Sequence, residues 1–159
     1  MKYTMRLYIL LVVLLTTAFG VQASEPPLPR YASVKSDEAN IRNGPGLRYP
    51  VRYVIVRKAM PVEVIAEFEN WRKVKDIDGE EGWVHRSMLS SDRTVVILNG
   101  TQALHEDAEA NSQTVAYAEQ GVVAELVECK EEWCKVRVGG EKGFIHRRNL
   151  WGVYGDEKF

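Results

Sequence analysis

Two cysteines and three histidines in 159 residues leave little material for metal chemistry. Cys129 and Cys134 have no nearby His and fall short of a four-ligand zinc set. Long apolar runs are scarce as well. The one near the start, Leu7 to Gly20, is shorter than the ~20 residues a membrane-spanning helix needs. Charge of one sign is also missing. A formal net charge of −1 gives no sign of general nucleic-acid binding. Helical periodicity is absent from residues 31–89, where apolar side chains never keep a helical spacing for three turns.

What is present begins with a targeting pattern. Lys2 and Arg6 precede the apolar run, and Val21-Gln22-Ala23 has the small-x-small form of a cleavage site. A signal peptide over residues 1–23 is the reading, against a membrane anchor as the alternative, and no Cys stands near the site for lipid attachment. Cleavage after Ala23 removes Lys2 and Arg6 and leaves 19 basic against 22 acidic side chains, a net of −3. The expected product is periplasmic or secreted, with no membrane span. In an exported chain the paired Cys129 and Cys134 suggest a disulfide across a hairpin tip. A metal pair or a nucleophilic thiol are the other readings, and nothing nearby marks a general base.

The chain then repeats itself. Trp71-Arg-Lys-Val-Lys, a turn, Gly82-Trp-Val-His-Arg and Leu89 return as Trp133-Cys-Lys-Val-Arg, a turn, Gly143-Phe-Ile-His-Arg and Leu150. So many matches in order argue an internal duplication. Residues 31–89 divide into short apolar alternations with turns every eight to twelve residues, the pattern of a small barrel or sandwich. Ahead of them, Pro26, Pro27 and Pro29 stiffen an extended leader. Ser90 to Arg93 is too short a connection for wide swinging.

Upstream of the repeated motif, Asn40, Arg42, Gly44 and Pro45 open a turn-rich stretch that continues through Tyr49-Pro50 and Tyr53. Arginines alternating with tyrosines could form a polar-aromatic contact surface. Alternatively, Arg42 braces its loop through backbone carbonyls while the tyrosines cover the core. Carried at the spacing that sets Trp71 on Trp133, the second half has Gln102, Leu104, Glu106 and Asp107 there.

These residues resemble the bacterial SH3-like (SH3b) family: Asn40, Arg42, Gly44, Pro45, Tyr49-Pro50, then Trp71, Val74, Gly82, Trp83, Val84 and Leu89, in order over about fifty residues. The second half keeps only the latter part. The resemblance implies an all-β chain of two small SH3-like barrels in tandem after a signal peptide. The divisions expected are residues 24–33 as leader, 34–90 as first unit, 91–93 as linker, 94–151 as second unit and 152–159 as tail. It further implies an exported, non-catalytic module without cofactor, recognising peptidoglycan, a cell-wall peptide or an envelope protein. The candidate contact residues are Arg42, Tyr49, Tyr53, Trp71 and Trp83.

Three other readings compete. An enzyme is disfavoured because two units leave only about ten residues at each end of the mature chain, with no Ser or Cys beside a His and an acid. A metal held by His85 and His146 needs the units face to face, and half-exposed histidines beside Trp83 and Phe144 are the simpler expectation. An assembly adaptor with no wall ligand is not separable by sequence. The tail, with Trp151, Tyr154 and Phe159, is expected to pack back on the second unit, with a place between the units as the alternative.

Overall fold

A computed structural model describes residues 26–159, so the expected signal peptide lies outside the described residues. The first unit comprises β1 (Arg30–Val34), β2 (Ala39–Arg42), β3 (Val51–Ile55), β4 (Pro61–Phe68), β5 (Trp71–Lys75), β6 (Glu81–His85) and β7 (Leu89–Ser90). The second comprises β8 (Thr94–Ile97), β9 (Gln102–His105), β10 (Thr114–Ala118), β11 (Val123–Lys130), β12 (Trp133–Val138), β13 (Glu141–His146) and β14 (Leu150–Trp151). The described residues contain no α-helix; 3₁₀ turns at Arg86–Met88 and Arg147–Asn149 occupy matching places.

Each unit is one seven-stranded sheet. The orders are β3-β2-β6-β5-β4-β1-β7 and β10-β9-β13-β12-β11-β8-β14. The second order is the first with every strand advanced by seven, so the duplication is structural as well as sequential. Both sheets are linear in their hydrogen bonding, with β3 and β7, and β10 and β14, at their ends.

Alternation explains the cores, since successive strand residues face opposite ways. Ile41, Val62, Val64, Val74 and Val84 turn inward in the first unit. Val95, Ile97, Leu104, Leu126, Val136 and Ile145 do so in the second, joined by both cysteines. Two glycines of the repeated motif are fixed by this packing. A Cβ on Gly82 would lie 2.4 Å from Ile41 Cγ2, and one on Gly143 would lie 2.7 Å from Leu104 Cβ. Only glycine lets β2 and β9 come so close.

Those contacts correct one expectation. Because Ile41 and Leu104 occupy the same place, and Arg42 pairs with Trp83 as His105 pairs with Phe144, the opening stretch is shifted one residue further along. The counterpart of Arg42 is His105, not Leu104.

Cys129 and Cys134 form the expected disulfide between directly opposed residues of β11 and β12, with Cα atoms 4.1 Å apart. The corresponding register pair in the first unit is Glu67 and Arg72, joined by an ion pair at 3.0 Å. Arg30 also pairs with Glu67.

The tail fits both placements the sequence allowed. It packs on the second unit, where Arg147 donates to the carbonyls of Tyr154 and Glu157 and Cys129 N–H donates to the Phe159 carbonyl. It also reaches the first unit. Tyr154 Oη–H donates to Glu63 at 2.9 Å, and its ring lies 4.7 Å from that of Tyr31, which meets Trp151 edge-on at 5.3 Å. Arg93 pairs with Glu157, donates to the Gly152 carbonyl and stacks between the Tyr31 and Phe159 rings. Thr94 Oγ1 to the Ala59 carbonyl at 2.7 Å and Arg57 to the Gly121 carbonyl at 2.8 Å complete the junction.

Candidate functional site

The cleft that gathers the sequence signals holds about 640 Å³ and lies in the first unit, between the loop after β2 and the β4–β5 turn. Its aromatic wall is Trp71, the first residue of β5. Cross-strand register sets Trp71 opposite His85, and the two rings meet edge-on with centroids 5.4 Å apart. His85 was expected beside Trp83; by register it lies beside Trp71, just as His146 lies beside Trp133 at 5.5 Å.

His85 is held in one tautomer. It caps the 3₁₀ turn by accepting the Ser87 backbone N–H at Nδ1, 3.3 Å away, with Ser87 Oγ at 2.7 Å from the same nitrogen. A nitrogen that accepts carries a lone pair, so the neutral ring bears its hydrogen on Nε2. His146 caps the second 3₁₀ turn in the same way, accepting the Arg148 N–H at Nδ1, 3.3 Å away. The recurrence of His in both halves therefore reflects a turn-capping role. No group of three or more His, Cys, Asp or Glu suited to a metal occurs among the described residues.

Arg42 lines the cleft and also braces its loop, donating to the Tyr49 carbonyl at 2.8 Å. The same Nη1 also reaches the Leu47 carbonyl at 3.5 Å, and the other guanidinium nitrogens keep their donors for further partners. Bracing survives in the second unit with different chemistry: His105 Nδ1 lies 3.3 Å from the Ser112 carbonyl. Asn40, Leu47, Glu69, Asn70, Ser87 and Met88 complete the wall, and Leu47 presents 78% of its surface to solvent.

Of the five candidate contact residues, the cleft brings together Arg42 and Trp71. Tyr49 instead packs its ring over Gly44, where a Cβ would fall 2.5 Å from it, and Arg48 covers its ring at 5.1 Å. Tyr53 is half buried against the first core, with its hydroxyl 3.3 Å from the Glu80 carbonyl. Burial and the nearby Asp76 push its pKa well above the tyrosine norm. Trp83 sits on β6 opposite Lys73 and Arg42, outside the cleft lining. Sequence reading missed Asn70 and His85 as lining residues. The repeat contained the signal: Asn70 stands where Glu132 stands, and the pair differs in charge.

A larger concavity, about 900 Å³, lies at the junction, between Pro26, Tyr31 and Leu89 on one side and Tyr154 and Phe159 on the other. It gathers none of the opening-loop residues.

Comparison with known proteins agrees with the repeat. The family described as bacterial SH3 domain matches residues 35–91 and 99–152. A Bacillus subtilis (strain 168) protein named "Putative N-acetylmuramoyl-L-alanine amidase YrvJ" is 22% identical over 151 residues, covering 87% of this chain and 29% of its own length. The chain thus spans under a third of that relative. Among solved structures, NlpC2 from Trichomonas vaginalis is 10% identical with a TM-score of 0.36, over 80% of this chain and 49% of that one. An NlpC/P60 family protein from Bacillus cereus ATCC 10987 is 11% identical with a TM-score of 0.35, over 76% and 55%.

Proposed function

Because the chain belongs to the bacterial SH3 domain family, we propose that it is an exported, non-catalytic binding protein whose two sheets are barrel-like modules. Its first unit recognises a cell-wall peptide or a peptide segment of an envelope protein. The observation that carries this reading is the convergence of Trp71 and Arg42 on one cleft. A flat apolar wall with cationic and amide groups at its rim suits a short peptide, since the ring supplies contact area and the guanidinium orients a polar end. The wall-amidase relative supports a role at the cell wall.

The test is retention of the purified protein on isolated peptidoglycan. Trp71→Ala, still folded by circular dichroism, is expected to lower retention at least tenfold. Retention equal to the parent would sink the cleft as the binding surface, and release of soluble wall fragments by the protein alone would overturn the non-catalytic reading. A second reading, an envelope adaptor, draws on the sheet end at β3, where Val51, Val54 and Val56 are exposed. Such an edge can accept a partner's strand. Stoichiometric co-purification of another envelope protein, abolished by Val54→Lys, would favour it.

A further inference from the structure

We infer that the group recognised in the first-unit cleft is a free carboxylate, taken by His85 Nε2–H, and that the second unit holds its own carboxylate in the equivalent place. The inference rests on the proposed cleft and deepens it by naming the chemistry of its ligand.

The two copies match strand for strand. In both, the ring is locked by a backbone N–H at Nδ1, which leaves Nε2–H as the outward donor. In the second unit that donor is used: Glu132 Oε2 lies 3.2 Å from His146 Nε2. Glu132 sits immediately before Trp133, and its carbonyl accepts the Arg147 N–H just as Asn70 accepts that of Arg86. Asn70 is therefore the matching residue, and it brings no acid. Among the described residues His85 Nε2 has no hydrogen-bond partner, and His85 lines the cleft together with Trp71.

The second copy thus displays what this donor takes: a carboxylate oxygen, on a histidine whose ring centroid lies 5.5 Å from that of Trp133. Charge agrees. Where the first unit places Arg42, the second places His105, so the copy that carries the fixed cation is the one that lacks the internal acid. Glu69 on the rim does not distinguish them, because Glu131 repeats it with the same left-handed backbone, φ 50° and 49°. Glu132 is 79% exposed, so it covers the histidine from the solvent side and can be displaced or replaced without disturbing the core.

The experiment uses the full mature chain and two probes, N-acetyl-D-alanyl-D-alanine and its L,L enantiomer, each as free acid and as C-terminal amide. Binding is followed by the Trp71 and Trp133 indole resonances and the His side-chain nitrogens. A free acid is expected to shift Trp71 and His85 with at least tenfold higher affinity than its amide. Preference for the D,D acid assigns the carboxylate to a wall peptide, and preference for the L,L acid assigns it to a protein C-terminus. Asn70→Glu is expected to weaken acid binding about tenfold, and because only the Asn70 carbonyl accepts the Arg86 N–H, the side-chain change leaves the turn in place. Glu132→Asn is expected to make Trp133 respond to the same acid.

Equal affinity for acid and amide overturns the inference, as does an Asn70→Glu variant that binds like the parent. A silent Trp133 in Glu132→Asn overturns the internal-carboxylate half. Wall retention is measured in parallel. If it depends on Trp71 while acid and amide do not differ, the carboxylate falls and the binding cleft stands; if it ignores Trp71, the cleft itself falls.

Discussion

At the scale of single residues, the duplicated positions divide by the kind of force that holds them. Gly82 and Gly143 are fixed by contact distance, so Gly82→Ala forces Ile41 and the β2 backbone, 3.0 Å away at the Arg42 carbonyl, to move. Overpacking of this kind costs about 1–3 kcal/mol, and urea unfolding of the variant is expected to show a loss of that size. His85 and His146 are fixed by hydrogen bonding to a 3₁₀ turn. His85→Ala removes a cap of the sort worth roughly 1 kcal/mol, which the same unfolding curve will show. Position-by-position comparison of the halves could identify such residues as important. It could not say why, because Gly-x-x-His reads alike whether it serves packing, capping or a ligand. The placement of His85 beside Trp71 depends on cross-strand register, which a single sequence does not display.

At the scale of elements, the β4–β5 and β11–β12 hairpins solve one problem in two ways. Both carry a register shift at the same place, between Val64 and Ala66 and between Leu126 and Glu128. Beyond it, one hairpin is tied by Glu67 with Arg72 and Arg30, the other by Cys129–Cys134. A disulfide closing so short a loop contributes roughly 2 kcal/mol in the loop-entropy description. Cys129→Ser with Cys134→Ser is expected to lower stability by about that much, measured by denaturant unfolding under non-reducing conditions. The cysteine pairing was legible in advance from an even count and a hairpin spacing. The matching ion pair was not, because Glu67 and Arg72 look like two more charges on an exposed strand until their register is known. The same blindness explains the shift by one at the opening stretch. Ile41 is the apolar residue there, but that it shares its place with Leu104 shows only once Gly82 is seen to press on the one and Gly143 on the other.

At the scale of the whole molecule, the all-β class and the twofold repeat were readable from alternation and from the motif, whereas the junction was not. Its parts, Tyr31, Arg93, Tyr154 and Glu157, are far apart in sequence and follow no periodicity. Arg93 and Arg147 both leave a buried Nε without a partner among the described residues, so the clamp depends heavily on Glu157 and the tail carbonyls. Burial raises the Glu157 pKa, but the Arg93 hydrogen bond, the Tyr154 N–H and Arg147 more than offset it, leaving it below the ordinary 4.5. A lowered folded pKa gives stability that is present above the ordinary value and lost as pH falls through the folded one. Acid titration below about pH 4.5 is therefore expected to quench the tail's contribution, and Glu157→Gln should flatten that part of the profile. Tyr31 behaves oppositely: burial first, then Glu63, push it up to about 12. Its contribution is complete below pH 10 and declines toward pH 12, which alkaline unfolding of Tyr31→Phe will test.

The strap across the junction also governs how the molecule can be taken apart. Duplicated domains usually melt as two events, but here the last eight residues of the chain cover a tyrosine and a carboxylate of the first half. Loss of order in either half withdraws partners from the other, so calorimetry is expected to record one heat-absorption peak. A chain truncated after Trp151, with both sheets intact in sequence, is expected to split that peak in two. Modularity in the gene then coexists with indivisibility in the folded product.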